Sequence, residues 1–217
     1  MSYWLDNPYI KSNSKYFNFH DFFQKKQNIV YAGNSITSQK NGYCRKFHEE
    51  LCQITRNQHE NVTLGLGAIG SLGLASFWNL LIESKTPNVV FIETACADIS
   101  GITPKDDIAP SLKYLISETR KLGASVIFLY MPREDKFLEQ RRQIISIYES
   151  IARQFDVPSI DLEFTKKSHW DKCLYDGVHT TEFGARLLGK KLAECFSQKR
   201  IQARDTIETY DVQSEEN

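Results

Sequence analysis

Short apolar runs alternate with longer segments of helical period along this chain, and that alternation predicts most of its architecture. Asn28 to Ala32 reads as a buried strand, which stops abruptly in Gly33-Asn34-Ser35. After a polar loop, residues 43–56 show helical spacing. Asn61-Val62-Thr63-Leu64-Gly65-Leu66 predicts a second strand, broken by Gly67-Ala68-Ile69-Gly70-Ser71. Leu72 to Glu83 then places Leu74, Phe77, Trp78 and Leu81 along one side of a helix. Asn88 to Glu93 is an unbroken apolar run of the kind buried on both faces of a parallel sheet, and it leads into Thr94-Ala95-Cys96-Ala97-Asp98. Pro110 to Leu122 is helical in pattern and stops at Gly123. Ser125 to Tyr130 predicts a fourth strand, Glu134 to Phe155 a charged helix, and Val157 to Leu162 a fifth strand that its proline assigns to an edge. A last helix, capped by Thr180 or Thr181, carries Leu187, Leu188 and Leu192 on its apolar side.

Strands alternating with helices this regularly imply βαβ units with right-handed crossovers. The expected fold is α/β: a three-layer α/β/α sandwich around a five-stranded, parallel, doubly wound, flavodoxin-like sheet.

At 217 residues with 41% hydrophobic content, the chain has apolar material for one core and little to spare for a second. The expected organisation is an aromatic strap over residues 1–26, a catalytic or binding domain over 27–196, and a polar tail over 197–217. Lys plus Arg and Asp plus Glu are 27 each, so no net charge points to nucleic acid or an anionic membrane. No apolar run approaches the roughly 20 residues that span a bilayer, and the first residues lack a signal-peptide pattern, so a cytoplasmic protein is expected. Five cysteines at unrelated spacings, Cys44, Cys52, Cys96, Cys173 and Cys195, fit free thiols better than a disulfide framework. His20, His48, His59 and His169 form no metal-ligand spacing, and no cofactor or metal is expected.

Ser35 falls where open α/β sheets collect their ligands, at the carboxyl end of a strand. Gly33 just before it permits torsions that a Cβ resists. Gly-Asn-Ser is also ordinary turn chemistry, with Ser35 as a helix cap. What gives the serine chemical meaning lies far downstream, in Tyr175-Asp176-Gly177-Val178-His179-Thr180-Thr181-Glu182-Phe183-Gly184. A serine hydroxyl is a poor nucleophile until a base takes its proton, and the base needs a third group to fix its tautomer. Asp176 and His179 supply both from one loop.

Together these blocks resemble the SGNH (GDSL-type) hydrolases, whose nucleophile follows the first strand in a Gly-Asp-Ser block and whose Asp-x-x-His block lies near the C-terminus. The resemblance runs from about residue 27 to 196. It implies a serine esterase or acyltransferase acting on acyl or acetyl esters of carbohydrates, lipids or small molecules, with Ser35, Asp176 and His179 catalytic. It also implies an oxyanion hole built from the serine N–H, a glycine N–H after the second strand (Gly70, with Gly67 as the other choice) and an asparagine side chain after the third. Two blocks depart from the family: Asn34 stands for the usual Asp, and Ala97 falls at the asparagine position, where it offers no side-chain donor. Three explanations remain open: Asn34 swings across to donate, a backbone N–H or water substitutes, or the protein binds its ligand without hydrolysing it. Asp98 has the plainer reading of a cap for the residues after it, and Cys96 that of a buried small side chain. Trp170 and Tyr175 are candidate walls of an acyl or sugar pocket. A small-molecule or carbohydrate ester is the expected partner, with a homo-oligomer open. A phosphate-binding module built on residues 34–38 would leave Asp176 and His179 without a role.

Overall fold

The structure is a computed structural model, and it describes residues 19–82, 84–133, 137–162 and 171–197. Five strands, β1 (Asn28–Gly33), β2 (Glu60–Gly65), β3 (Val89–Glu93), β4 (Ser125–Tyr130) and β5 (Ser159–Asp161), pair in parallel in the order β2-β1-β3-β4-β5. Eight helices connect or flank them: α1 (Phe19–Phe22), α2 (Ser35–Ser38), α3 (Tyr43–Thr55), α4 (Ser71–Ile82), α5 (Ala95–Ile99), α6 (Lys105–Lys121), α7 (Leu138–Gln154) and α8 (Glu182–Ser197), counted among the described residues. The chain leaves β1 for β2 on one side and then crosses back to β3 on the other. That reversal opens a crevice at the carboxyl ends of β1 and β3, where Gly33 and Glu93 sit side by side in register.

The alternation within each strand divides the core. Ile29, Tyr31, Phe91, Ile127 and Leu129 face α3 and α8, where Phe47, Leu51, Leu188 and Leu192 are buried. Val30, Val90, Ile92, Val126 and Phe128 face α4, α6 and α7, against Leu74, Trp78, Leu112 and Tyr148. Each large side chain removed from water contributes about 1.5–3 kcal/mol, so both layers hold the sheet, and with it the strand ends, in one arrangement. Phe23, fully buried, packs edge-on against Phe196 with ring centroids 4.9 Å apart and tethers the segment before β1 to α8. Residues 1–18 of the expected strap, most of the tail and Trp170 lie outside the described residues.

The five strands fall where the apolar runs place them, with β5 at an edge. The helix expected from Pro110 instead begins at Lys105, behind Pro104, with Asp106 and Asp107 in its first turn. Pro110 is internal to it, at the loss of one backbone hydrogen bond. Gly33 has no positive φ, so backbone freedom is not its purpose. A Cβ there would stand 2.4 Å from the carbonyl oxygen of Glu93 and 2.4 Å from the Thr37 hydroxyl, so what selects glycine is close approach.

Candidate active site

Strand β1 delivers its chain directly into the single turn α2. Asn34 caps that turn, its Oδ1 accepting the Ile36 N–H at 2.9 Å, which leaves Ser35 as the first helical residue. The cap is therefore Asn34 and not Ser35. As the first residue of a helix, Ser35 has an N–H with no intrahelical partner.

The other half of the site is a tight loop ahead of α8. Leu174 and Thr180 form an antiparallel bridge, Thr181 donates its N–H to Cys173 at 2.8 Å, and Gly177 turns the tip at φ +78°. Thr181 caps α8, its Oγ1 accepting the Gly184 N–H at 3.0 Å. Inside the loop, one oxygen of Asp176 accepts the N–H groups of Val178 at 3.0 Å and His179 at 2.7 Å. The other oxygen lies 2.6 Å from His179 Nδ1. Burial tends to raise the Asp176 carboxyl, but the N–H and imidazole of His179 and the N–H of Val178 outweigh it and hold the group below the usual carboxylate range. With Nδ1–H directed at Asp176, His179 Nε2 is left as an acceptor, and it lies 2.7 Å from Ser35 Oγ. Ser35 and a loop whose histidine lies 144 positions further on thus close a continuous Ser-His-Asp chain of contacts. Tyr175, 64% exposed, stacks on the imidazole at 5.7 Å and 17°.

Gln39, at the end of α2, ties the two halves together. Its Oε1 accepts from the Thr180 N–H at 3.2 Å and the Thr180 hydroxyl at 2.8 Å, and its Nε2 donates to the Thr180 carbonyl at 3.2 Å. Neither Gln39 nor the next contact, Glu93, is prominent in the sequence.

Glu93 ends β3 fully buried. Its Oε1 accepts from Asn34 Nδ2 at 3.1 Å and its Oε2 accepts from the Thr37 hydroxyl at 3.1 Å. Burial pushes the carboxyl up to about 8, against the lowering effect of those donors. This contact bears on one of the three explanations left open by the sequence. Asn34 is 3% exposed, with Oδ1 engaged by Ile36 and Nδ2 by Glu93, so its side chain is held under the turn and does not swing across the crevice.

Past β3, Ala97 sits in α5, 7% exposed, and brings no side-chain donor. Asp98 does not cap the residues after it. Its Oδ1 accepts the N–H of Ser71, the first residue of α4, at 2.9 Å, and its Oδ2 accepts the Tyr148 hydroxyl at 2.5 Å. Thr103 crowds the same place, and a Cβ on Gly70 would stand 2.2 Å from its Oγ1 and 2.3 Å from Asp98 Oδ1. Gly67 differs, because a Cβ there meets nothing within 4 Å. Arg133, another residue the sequence does not flag, is buried and donates to the carbonyl of Cys96 at 2.8 Å and to its sulfur at 3.0 Å. Burial, then the charge of Glu93, push the Cys96 thiol up to about 12 despite Arg133, so it is inert as a nucleophile at neutral pH. Among the described residues no cluster of His, Cys, Asp and Glu could hold a metal, and no helix is long and apolar enough to cross a membrane.

Comparison with known protein families and with curated proteins finds no match. Solved structures do match. A protein from Desulfitobacterium hafniense DCB-2, described as lipolytic and of the G-D-S-L family, aligns at 16% identity over 76% of this chain and 97% of its own, with a TM-score of 0.65. The acetylxylan esterase Axe2 from Geobacillus stearothermophilus aligns at 16% identity over 82% of this chain and 97% of its own, with a TM-score of 0.69. LAE5, an alpha/beta hydrolase from the metagenome of Lake Arreo, aligns at 13% identity over 81% of this chain and all of its own, also at 0.69. At these identities the likeness establishes the fold, that of the SGNH hydrolases.

Proposed function

We propose that the protein is a serine esterase or acyltransferase acting on acyl or acetyl esters through an acyl-enzyme. The observation that carries this reading is the run of contacts Ser35 Oγ to His179 Nε2 at 2.7 Å and His179 Nδ1 to Asp176 Oδ2 at 2.6 Å. Ser35 attacks the ester carbonyl while His179 takes its proton. Asp176 holds the imidazole in the required tautomer and favours its charged form. The protonated His179 then gives its proton to the leaving alcohol, and water or an acceptor alcohol reverses the sequence. The oxyanion is received by the N–H of Ser35 and the N–H of Gly70, neither of which has a hydrogen-bond partner among the described residues. The acetylxylan esterase among the structural neighbours, together with the exposed face of Tyr175, favours an acylated carbohydrate as substrate.

Ala97 specifically favours a second reading, a ligand-binding relative of low activity. Removing one oxyanion donor commonly costs about 10² to 10³ in rate. The test is intact-mass spectrometry after incubation with a fluorophosphonate. One adduct that maps to Ser35, absent from Ser35→Ala and strongly reduced in His179→Ala, is the expected result. A folded protein with no adduct would refute the enzymatic reading and leave the binding one.

A further inference from the structure

Glu93 is a buried carboxyl that the acyl-transfer chemistry does not use. It ends β3, the strand beside β1, and both of its side-chain partners belong to the turn that follows β1. Asn34 caps the turn that carries Ser35, and Thr37 lies in that same turn. The Glu93 carbonyl adds a third tie by accepting the Asn34 N–H at 3.3 Å. On its far side, the Thr37 hydroxyl lies 3.2 Å from the Tyr43 hydroxyl, so the links continue into α3.

A helix of four residues has little cohesion of its own, because nucleating a turn fixes several torsions for one hydrogen bond. Something outside α2 must therefore decide where Ser35 Oγ points. Gln39 restrains the end of the turn, and Glu93 restrains its start and its middle from beneath. Gly33 completes the fit, since any Cβ there would force Glu93 and Thr37 apart.

We infer that Glu93 is the positioning residue of the nucleophile: its carboxyl holds the Asn34 cap and Thr37, and so fixes the Ser35 turn against the end of β3. It touches no reacting atom. The inference rests on the reading of Ser35 as the nucleophile.

Two substitutions of nearly equal volume separate positioning from packing. In Glu93→Gln, Oε1 still accepts from Asn34 while Nε2 donates to the Thr37 oxygen, whose own hydrogen turns to Tyr43. In Glu93→Met no acceptor remains. The measurement is the rate at which a fluorophosphonate forms its adduct at Ser35 across a range of probe concentrations, on protein shown to be folded by near-ultraviolet circular dichroism. Glu93→Gln should keep the wild-type rate to within about threefold. Glu93→Met should lose about 10²-fold, the scale of a misplacement of about 1 Å, with the loss in the inactivation rate constant and not in probe binding. Thr37→Val, which removes one of the two side-chain ties, should lose about tenfold and carries the comparison if Glu93→Met does not fold. A folded Glu93→Met, or failing it Thr37→Val, that labels as fast as Glu93→Gln would overturn the positioning role while leaving Ser35 as nucleophile. Wild-type protein that forms no adduct at Ser35 would overturn the nucleophile and the inference together.

Discussion

Replacing Gly70 by alanine tests the geometry of the crevice more sharply than removing a reacting group does. The new Cβ would stand 2.2 Å from Thr103 Oγ1 and 2.3 Å from Asp98 Oδ1. Neither can retreat easily: Thr103 and Asp98 are 3% and 2% exposed, and Asp98 is held by the Tyr148 hydroxyl and the Ser71 N–H. Overpacking of this kind costs about 1–3 kcal/mol, and loss of the charge-assisted bond to Ser71 adds about 1.5–3 kcal/mol. The lower chain entropy of alanine in the unfolded state returns only about 0.4–1 kcal/mol. A net loss of about 2–5 kcal/mol results, or roughly 4–20 °C in melting temperature at about 2–4 °C per kcal/mol for a chain of this size. Gly67→Ala is the internal control, since its Cβ meets nothing and its φ is not positive. It should stay within about 0.5 kcal/mol of wild type. Thermal unfolding followed by circular dichroism at pH 7 reads both. A Gly70→Ala protein that melts with wild type would refute the packing argument. The same two proteins report on the oxyanion: if the Gly70 N–H is a donor, displacing it should slow adduct formation at Ser35 by about 10² to 10³, whereas Gly67→Ala should leave the rate alone.

Gln39→Ala removes three half-exposed hydrogen bonds to Thr180 and should lower stability by about 1–2 kcal/mol while slowing adduct formation about tenfold. An unchanged rate would show that the His179 loop keeps its place without that clamp. Glu93 should also leave a mark on the pH dependence of stability. Its carboxyl is raised by burial to about 8 in the folded protein, against an ordinary value of 4.5, so between these limits the native state holds a proton that the unfolded chain has released. Stability from this group is therefore full below about pH 4.5 and is lost as pH rises through about 8, at up to about 1.4 kcal/mol per pH unit. Urea unfolding at pH 5.5 and 7.5 should show that decline in wild type and a flatter profile in Glu93→Gln; equal slopes would mean that Glu93 does not bind the proton.

The parts of this fold that are legible in the sequence are those whose cause is local. β1, β3 and β4 are buried on both faces, so their sequences are unbroken apolar runs, and the Asp176–His179 loop carries its own hydrogen bonds within four residues. Helices α2 and α5 are not legible, because four and five residues are too few to show a period. The start of α6 is easily misplaced because Pro110 looks like a first-turn proline, whereas the acidic residues at 106 and 107 mark the true first turn. The purpose of Gly33, Glu93 and Asp98 is hidden for a different reason. Asn34 and Glu93 are 59 positions apart, Ser71 and Asp98 are 27 apart, and Tyr148 and Asp98 are 50 apart, so no window of sequence contains both ends of any of these contacts. A lone glutamate closing an apolar strand is the one available signal, since a carboxyl left in a buried run must find donors.

Glu93 and Asp98 also explain what the stretch after β3 does, although Ala97 within it has no side-chain donor. The strand order puts β1 between β2 and β3, so a site built from the ends of all three would need its turns fixed to a common reference. The two carboxyls supply it: Glu93 holds the turn after β1, and Asp98 holds the start of α4 after β2. Both work from inside the protein, at low exposure, where a hydrogen bond to a charged or polar group is stronger than at the surface and its loss is correspondingly costly. The backbone N–H groups of Ser35 and Gly70 therefore owe their placement to side chains that never reach the crevice. If these two N–H groups receive the oxyanion, the site depends on that rigidity more than one with a mobile amide would, because a fixed N–H cannot swing to recover a lost contact. This is why the contacts beneath the crevice, and not the residues lining it, are where substitutions should separate activity from folding.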